Sequence, residues 1–306
     1  MELHDSNGNL QPQTESTSLT SRSVLVVFCL AAGFAYRVIG GVFPPSIVQA
    51  GLLVGLSALF LTIAVIARKA PHLRIYWEIP FAFFVFTIAG VTGDQGGFIQ
   101  QTFLRNVLHD TPSMNNPLAS TVMGTVIAQL VSTLSLVIPI ILLTKASGSD
   151  LKSIFIDKTR NRWALVVGVI GFLVFYRFTM SGRAERFFPN NGVTLSRFLA
   201  LTPALIVLVL CNGLREELWF RGLFLKKYEQ FLGPLSSNML SAIIFASFHV
   251  QVTYTPALLP FLGITLLLGL FLGYLMQKSG SVLASAIFHA GSDIPIFLVY
   301  LSYTLS

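Results

Sequence analysis

Residues 198–222, FLALTPALIVLVLCNGLREELWFRG, indicate most clearly what kind of protein this chain forms. Up to Leu214 this stretch is mostly apolar, and a helix that spans a membrane needs about 20 such residues. The run ends in two consecutive acids, Glu216 and Glu217. Because an ionised side chain in the bilayer centre costs about 3 kcal/mol or more, acids at this depth are typical of a functional site.

Comparable apolar runs recur along the whole chain. Hydrophobic residues make up 54% of the 306 and charged residues only 11%, whereas a soluble domain has about 25% charged residues. The sequence therefore predicts an all-α, polytopic membrane protein with about eight or nine transmembrane helices. The third run is short and contains Pro80 and Gly93, so we expect a re-entrant or interfacial segment there. The predicted spans are 24–43, 48–67, 79–93, 118–143, 163–180, 198–225, 235–250, 257–276 and 282–302.

The chain divides into three regions by composition. Residues 1–23 are polar and predict a disordered tail, and residues 24–197 form N-terminal transmembrane helices in which we recognise no motif. Residues 198–306 form the last helices and contain the acids and histidines that lie within apolar runs.

Basic residues indicate how these helices are oriented. The formal charge is +7, and Lys and Arg concentrate in alternate loops, around 68–74, 145–162, 226–227 and 278. The positive-inside rule then predicts that these loops and the N-terminal tail are cytoplasmic, in the plasma membrane if the source is bacterial. We expect the lipid bilayer and no nucleic acid as a partner, since no basic soluble domain is present.

Five polar groups lie inside the apolar runs of the last helices: Glu216, Glu217, His249, His289 and Asp293. Residues four apart share a helix face, so His289 stacks near Asp293. The same spacing predicts that Glu217 pairs with Arg221 and that an aromatic ring, Phe245, lies one turn from His249.

Hairpin geometry predicts that these groups lie at one depth. The break at Phe231–Pro234 places Glu216 and His249 about 16 residues to either side, which at about 1.5 Å per residue puts them at nearly the same level. Ser279 and Gly280 turn the next hairpin on the same membrane side. We therefore expect Glu216, His249, His289 and Asp293 to converge in one intramembrane cavity that opens toward the cytoplasm.

Pairs of small residues four apart predict close helix packing. One such pair is Gly51 and Gly55, and the other is Gly269 and Gly273.

The motifs of the last hundred residues resemble those of the CPBP family, which comprises CAAX prenyl endopeptidases and bacteriocin-processing or immunity proteins, also called abortive-infection proteins. The resemblance covers roughly residues 203–302 and rests on order and spacing as well as on residue types. The matching segments are EELWFRG at 216–222, FASFH at 245–249, GYLMQKSGSVL at 273–283 and HAGSD at 289–293.

The resemblance implies proteolysis inside the membrane by CPBP-type catalytic helices at 198–306. Glu216 would be the general base on a water, aided by His249, while His289 and Asp293 would stabilise the oxyanion and Glu217 and Arg221 would support the site. One position departs from the pattern, because the prenyl endopeptidases often have asparagine where this chain has Asp293. That aspartate would be protonated, orient His289 or bind a metal.

Two mechanisms and several functions follow from this reading. Glu216, His249, His289 and Asp293 also suit zinc as a ligand set, and the family is often labelled a metalloprotease, but HExxH is absent and we favour a metal-independent glutamate mechanism. The expected substrate is a membrane-embedded or membrane-associated protein or peptide. The alternatives are a non-catalytic immunity or scaffolding protein and a proton-coupled transporter.

Overall fold

The computed structural model describes residues 19–43, 46–113 and 116–304, apart from the side chains of residues 19, 94–96 and 98. Within these ranges the chain is helical and has no strand. Eight helices are long and apolar enough to cross a membrane, which confirms the predicted all-α, polytopic membrane protein. The helices are α1 Leu19–Val42, α2 Ile47–Lys69, α3 Glu78–Val107, α4 Val122–Ala146, α5 Arg162–Met180, α6 Leu195–Glu216, α7 Leu225–Ser247, α8 Leu258–Ser279 and α9 Val282–Ser302.

Two predicted boundaries are wrong. Helix α1 begins at Leu19, inside the predicted polar tail, whose first 18 residues lie outside the described ranges. Helix α3 is one continuous helix of 30 residues and not a short segment. Pro80 lies in its first turn, where a missing backbone N–H costs no hydrogen bond, and glycine is common in membrane helices.

Helix α7 is bent where the sequence predicts a break. Gly233 has φ 75° and ψ 171°, which glycine adopts without strain, and Pro234 follows it. The helix continues on both sides of this bend. The arm from Pro234 to Ser247 is only about 21 Å long at 1.5 Å per residue, so it reaches the level of the site without crossing a membrane.

Helix α9 is the central helix of the described molecule. Of its most apolar stretch 72% is buried, compared with 22–50% for the other spanning helices. Helices α5 and α6 approach it closely because glycines lie at the contacts. A Cβ atom at Gly168 would come within 2.6 Å of the Ala284 carbonyl oxygen, and one at Gly213 within 2.5 Å of the Ala286 carbonyl oxygen.

Of the two predicted pairs of small residues, one lies at a helix contact and the other does not. Gly269 and Gly273 pack against α7, at Ala242 and Asn238. Gly51 and Gly55 have no atom within 4 Å of their Cβ directions, as far as the described residues show, so they mediate no helix contact there. Spacing alone does not tell whether a helix face meets another helix or lipid.

Candidate active site

The site is built around a π-helical segment, Glu217–Gly222, that continues α6 directly. Such wide turns occur mostly as short insertions within helices and are frequent at functional sites. Gly222 lies close to the backbone of the loop between α4 and α5, since a Cβ there would come within 3.1 Å of the Ile154 carbonyl oxygen. The segment therefore enters the protein core, and it carries Glu217 and Arg221 with it.

Glu217 and Arg221 form the predicted ion pair, and both side chains are completely buried. The guanidinium also donates to the Gly269 carbonyl oxygen and lies 4.3 Å above the centre of the Phe245 ring. These contacts stabilise a buried cation that would otherwise be strongly unfavourable, although its Nη2 atom has no hydrogen-bond partner among the described residues. The pair therefore anchors the segment to α7 and α8.

Glu217 has a second partner that the sequence did not indicate. Its Oε1 atom lies 2.9 Å from Nδ1 of His289 on α9. A carboxylate oxygen can only accept, so the hydrogen of this bond belongs to Nδ1. Nε2 of His289 then points at two other carboxylates, lying 3.7 Å from Glu216 Oε2 and 3.7 Å from Asp293 Oδ1.

Glu216 uses its two carboxylate oxygens differently. Oε1 accepts from the Asn212 amide at 3.1 Å and from Arg215 at 3.3 Å. Oε2 is buried and has no hydrogen-bond partner among the described residues. The side chain as a whole is 15% exposed, so part of it reaches the surface although Oε2 itself does not.

Asp293 and Glu216 share one amide. The Nδ2 atom of Asn212 lies 2.8 Å from Asp293 Oδ2, in addition to its contact with Glu216. Each of the two amide hydrogens can therefore serve one carboxylate. The predicted neighbours His289 and Asp293 do share a face, but at 3.7 Å they are beyond hydrogen-bond distance.

His249 lies just past the end of α7, in a turn, and is partly exposed. Its Nδ1 atom is 3.0 Å from the Phe245 carbonyl oxygen, an acceptor, so Nδ1 carries the hydrogen and Nε2 is the free acceptor. Its ring packs 4.6 Å from that of Phe245, as the four-residue spacing predicts. Phe245 is also 5.6 Å from His289 and so lies between the two histidines.

The structure thus brings Glu216, His289 and Asp293 into direct proximity, with Glu217 and Arg221 beneath them and His249 across the Phe245 ring. Sequence reasoning missed Asn212 and Arg215. Asn212 lies four residues before Glu216, so helical spacing could have pointed to it. Arg215 donates to Ser132 on α4 at 2.7 Å, and this contact links the N-terminal helices to the site.

The residues suggested as zinc ligands are Glu216, His249, His289 and Asp293. Among the described residues, no group of three or more His, Cys, Asp or Glu side chains that could hold a metal ion is found in this conformation. The Nδ1 atoms of His249 and His289 contact the Phe245 carbonyl oxygen and Glu217, and such contacts also orient histidines that bind a metal through Nε2. Zinc binding therefore stays a prediction.

Burial shows which side of the site is closed. Toward the basic loops, Glu217, Arg221 and Ser285 are all 0% exposed. In the other direction, Ile296 and Tyr300 on the same face of α9 are partly exposed. Exposure therefore increases away from the basic loops, and the opening that the hairpin geometry predicts on their side stays a prediction.

A large groove lies on the other side of an aromatic wall from the site. The wall consists of Tyr36, Trp219 and Phe248, whose rings contact one another at 5.6–5.9 Å. Behind it, helices α1, α2 and α3 border an open groove of about 1220 Å³. Trp219 lies between Glu217 and Arg221 in sequence and Phe248 precedes His249, so the N-terminal helices build a space next to the candidate site.

Comparison with known proteins gives one match. Residues 198–294 match the family model described as Type II CAAX prenyl endopeptidase Rce1-like. No curated protein and no solved structure matches the chain. The matched range contains every site residue described above, and it confirms the predicted resemblance of this chain to the CPBP family of intramembrane proteases.

Proposed function

We propose that this protein is an intramembrane endopeptidase in which Glu216 activates a water molecule. The family match supports a membrane-embedded protease that acts on a protein or peptide. The observation that carries the specific proposal is the unpartnered Oε2 atom of Glu216, which is buried beside the Nε2 atom of His289. A general base needs a free oxygen within reach of the water that it deprotonates.

The reaction begins when Glu216 Oε2 takes a proton from water. The resulting hydroxide adds to the carbonyl carbon of the scissile peptide and forms a tetrahedral oxyanion. The C–N bond then breaks, and Glu216 returns its proton to the leaving amine. The products are a carboxylic acid and an amine, and the site returns to its starting state. The free Nε2 atom of His249 can hold the same water by accepting its second hydrogen.

His289 is placed to stabilise the oxyanion. Three carboxylates, those of Glu216, Glu217 and Asp293, surround its ring, and they favour the doubly protonated imidazolium. With Nδ1 donating to Glu217, the second hydrogen on Nε2 can be donated to the developing charge. Fixed donors aimed at an oxyanion lower the barrier by about 3–4 kcal/mol each.

Asp293 has a different role in this proposal from that of an oxyanion donor. An ionised carboxylate would repel the oxyanion, and Asp293 already accepts a hydrogen bond from Asn212. We propose that Asp293 holds the imidazolium of His289 and the amide of Asn212 in place. Two guanidinium groups, Arg215 and Arg221, help to balance the three carboxylates of the site.

The groove bounded by α1, α2 and α3 provides room for the substrate. Its volume exceeds the roughly 300–1,000 Å³ of ordinary ligand sites, and its wall residues Trp219 and Phe248 adjoin the catalytic helices. We propose that one part of a membrane-associated peptide occupies this groove and that the peptide continues past Trp219 and Phe248, which places its scissile bond at Glu216. The basic loops are proposed to face the cytoplasm, as their Lys and Arg content favours.

The test is cleavage by the purified protein in detergent or lipid. Wild type and Glu216→Gln are incubated with a membrane-peptide library, with and without a chelator, and cut sites are read by mass spectrometry. We expect cuts that vanish in the variant and persist with the chelator. Cuts that vanish with the chelator would show that a metal is required. Equal cutting by folded wild type and variant would reject Glu216 as the base, and no cutting by folded wild type would favour a non-catalytic immunity or scaffolding protein.

A further inference from the structure

Asn212 on α6 connects the two carboxylates that face His289. Its Nδ2 atom donates to Glu216 Oε1 at 3.1 Å and to Asp293 Oδ2 at 2.8 Å. The side chain is 6% exposed, and no motif used above includes it. An asparagine placed between two acids in a membrane protein calls for an explanation, because leucine or alanine would be easier to bury.

The orientation of this amide is fixed by its neighbours. Its Oδ1 atom accepts from Arg215 Nη2 at 2.6 Å and lies 3.4 Å from Gln129 Nε2 on α4. Both of these neighbours can only donate through those atoms, while the two carboxylates can only accept. If the amide were flipped, its NH₂ group would face the donors of Arg215 and Gln129, and its oxygen would face the two carboxylates. The NH₂ group must therefore face the acids.

The consequence is an asymmetry in Glu216. Oε1 is held by Asn212 and Arg215, and Oε2 is left without a partner among the described residues. We infer that Asn212, held by Arg215, is a positioning residue that reserves one oxygen of Glu216 for the reaction and keeps Asp293 apart from it. This inference rests on the proposed function, in which Glu216 is the base.

The network also explains how an acid is tolerated at position 293. Glu216 and Asp293 both lie 3.7 Å from His289 Nε2, and two carboxylates this close to one atom repel each other. An amide that donates one hydrogen to each gives both of them a shared neutral partner. Asn212 and Asp293 thus place one amide and one carboxylate beside the base. A variant with aspartate at 212 and asparagine at 293 would still have one amide and one carboxylate there.

The experiment uses one substrate that wild type cleaves, found with the library above, and measures kcat and KM for each variant. Asn212→Ala is expected to lower kcat about a hundredfold, as a misplaced reacting group does, and to leave KM within about twofold. Asn212→Asp should be worse than Asn212→Ala, because it adds a third acid beside Glu216. The double variant Asn212→Asp/Asp293→Asn should recover activity relative to Asn212→Asp.

Asn238→Ala is the matched control. Asn238 is also a buried helical asparagine, 5% exposed, and donates one hydrogen bond to the Leu270 carbonyl oxygen outside the site. It should lose thermal stability while the kcat of the folded fraction stays near that of wild type. Should Asn212→Ala not fold, Arg215→Gln tests the same idea, because without the guanidinium the amide can flip, and kcat should fall with KM unchanged.

Several results would overturn the inference. They are a kcat of Asn212→Ala equal to that of wild type, an equal loss of kcat in Asn212→Ala and Asn238→Ala, and a double variant no better than Asn212→Asp. A wild type that cleaves nothing would instead reject the proposed function, so the two failures are distinguishable.

Discussion

Helices α1 and α9 are both apolar enough to span a membrane, yet they occupy very different places. The most apolar stretch of α9 is 72% buried and that of α1 is 28% buried. Helix α9 carries His289 and Asp293, whereas the described part of α1 carries only basic residues as charges, Arg22 and Arg37. Hydropathy shows which segments can lie in lipid, and polar side chains within such a segment indicate which one lies at the centre.

The largest expected contrast between the two regions is catalytic. His289→Ala removes the proposed oxyanion donor, and cleavage of an identified substrate should fall about 10²- to 10³-fold. His72→Ala changes an exposed histidine in the loop after α2 and should leave the rate unchanged. The two rates are measured side by side in proteoliposomes. Equal rates for both variants would place the chemistry elsewhere.

The next contrast concerns ion pairs. Glu217→Ala leaves Arg221 buried without its partner and should lower the free energy of unfolding by about 3–5 kcal/mol. Asp157→Asn breaks a 3.9 Å pair with Arg160, whose side chain is mostly exposed. This variant should change the free energy of unfolding by less than about 1 kcal/mol. Denaturant unfolding in detergent measures both. A small effect of Glu217→Ala would show that the pair is not a structural anchor.

Two glycine substitutions should change the stability of the protein in opposite directions and by less than the loss of the buried ion pair. A Cβ at Gly291 would come within 2.5 Å of the Phe172 backbone, so Gly291→Ala should destabilise by about 1–3 kcal/mol. Gly51→Ala meets nothing in the described residues and should stabilise by up to about 1 kcal/mol through helix propensity. Thermal unfolding of the two variants decides, and destabilisation by both would mean that α2 packs against a partner.

The smallest effect concerns a loop of the N-terminal region. Burial raises the pKa of the Asp110 carboxyl, but hydrogen bonds from Ser120 and Thr121 outweigh burial and hold the pKa below its usual value. A lowered pKa in the folded state contributes stability above the ordinary carboxyl pKa, and this contribution is lost as the pH falls through the folded value.

Asp110→Asn should therefore unfold at a lower temperature than wild type near pH 7, and the difference should shrink as the pH is lowered toward 3. Cleavage per folded molecule should not change, because Asp110 belongs to the loop before α4. A difference that stays constant with pH would show that the charge of Asp110 is not the stabilising feature.

Much of the fold follows from the sequence because lipid imposes a simple rule on helix length and composition. The Glu217–Arg221 pair and the bend at Gly233 were also predictable, since spacing and backbone preference act locally. The full length of α3 was not, because Pro80 in a first turn and Gly93 in a membrane helix do not act as breaks.

The clustering of the candidate site residues was predictable, and their contacts were less so. The depth of the hairpins places Glu216, His289 and Asp293 together, but it does not show that His289 binds Glu217 at 2.9 Å. The contacts of Asn212 with Asp293 and of Arg215 with Ser132 join different helices, and their side-chain directions depend on packing. The π-helical segment likewise depends on tertiary contacts that no local pattern specifies.

The central claim is that Glu216 is the base of an intramembrane endopeptidase, and one rate comparison tests it most directly. Wild type, Glu216→Gln and Glu185→Gln are reconstituted at equal folded amounts with one identified peptide substrate. Glu185 lies in the exposed loop between α5 and α6 and serves as the control. We expect equal rates for wild type and Glu185→Gln and a fall of about 10²- to 10⁴-fold for Glu216→Gln. A rate for Glu216→Gln equal to that of wild type would contradict it.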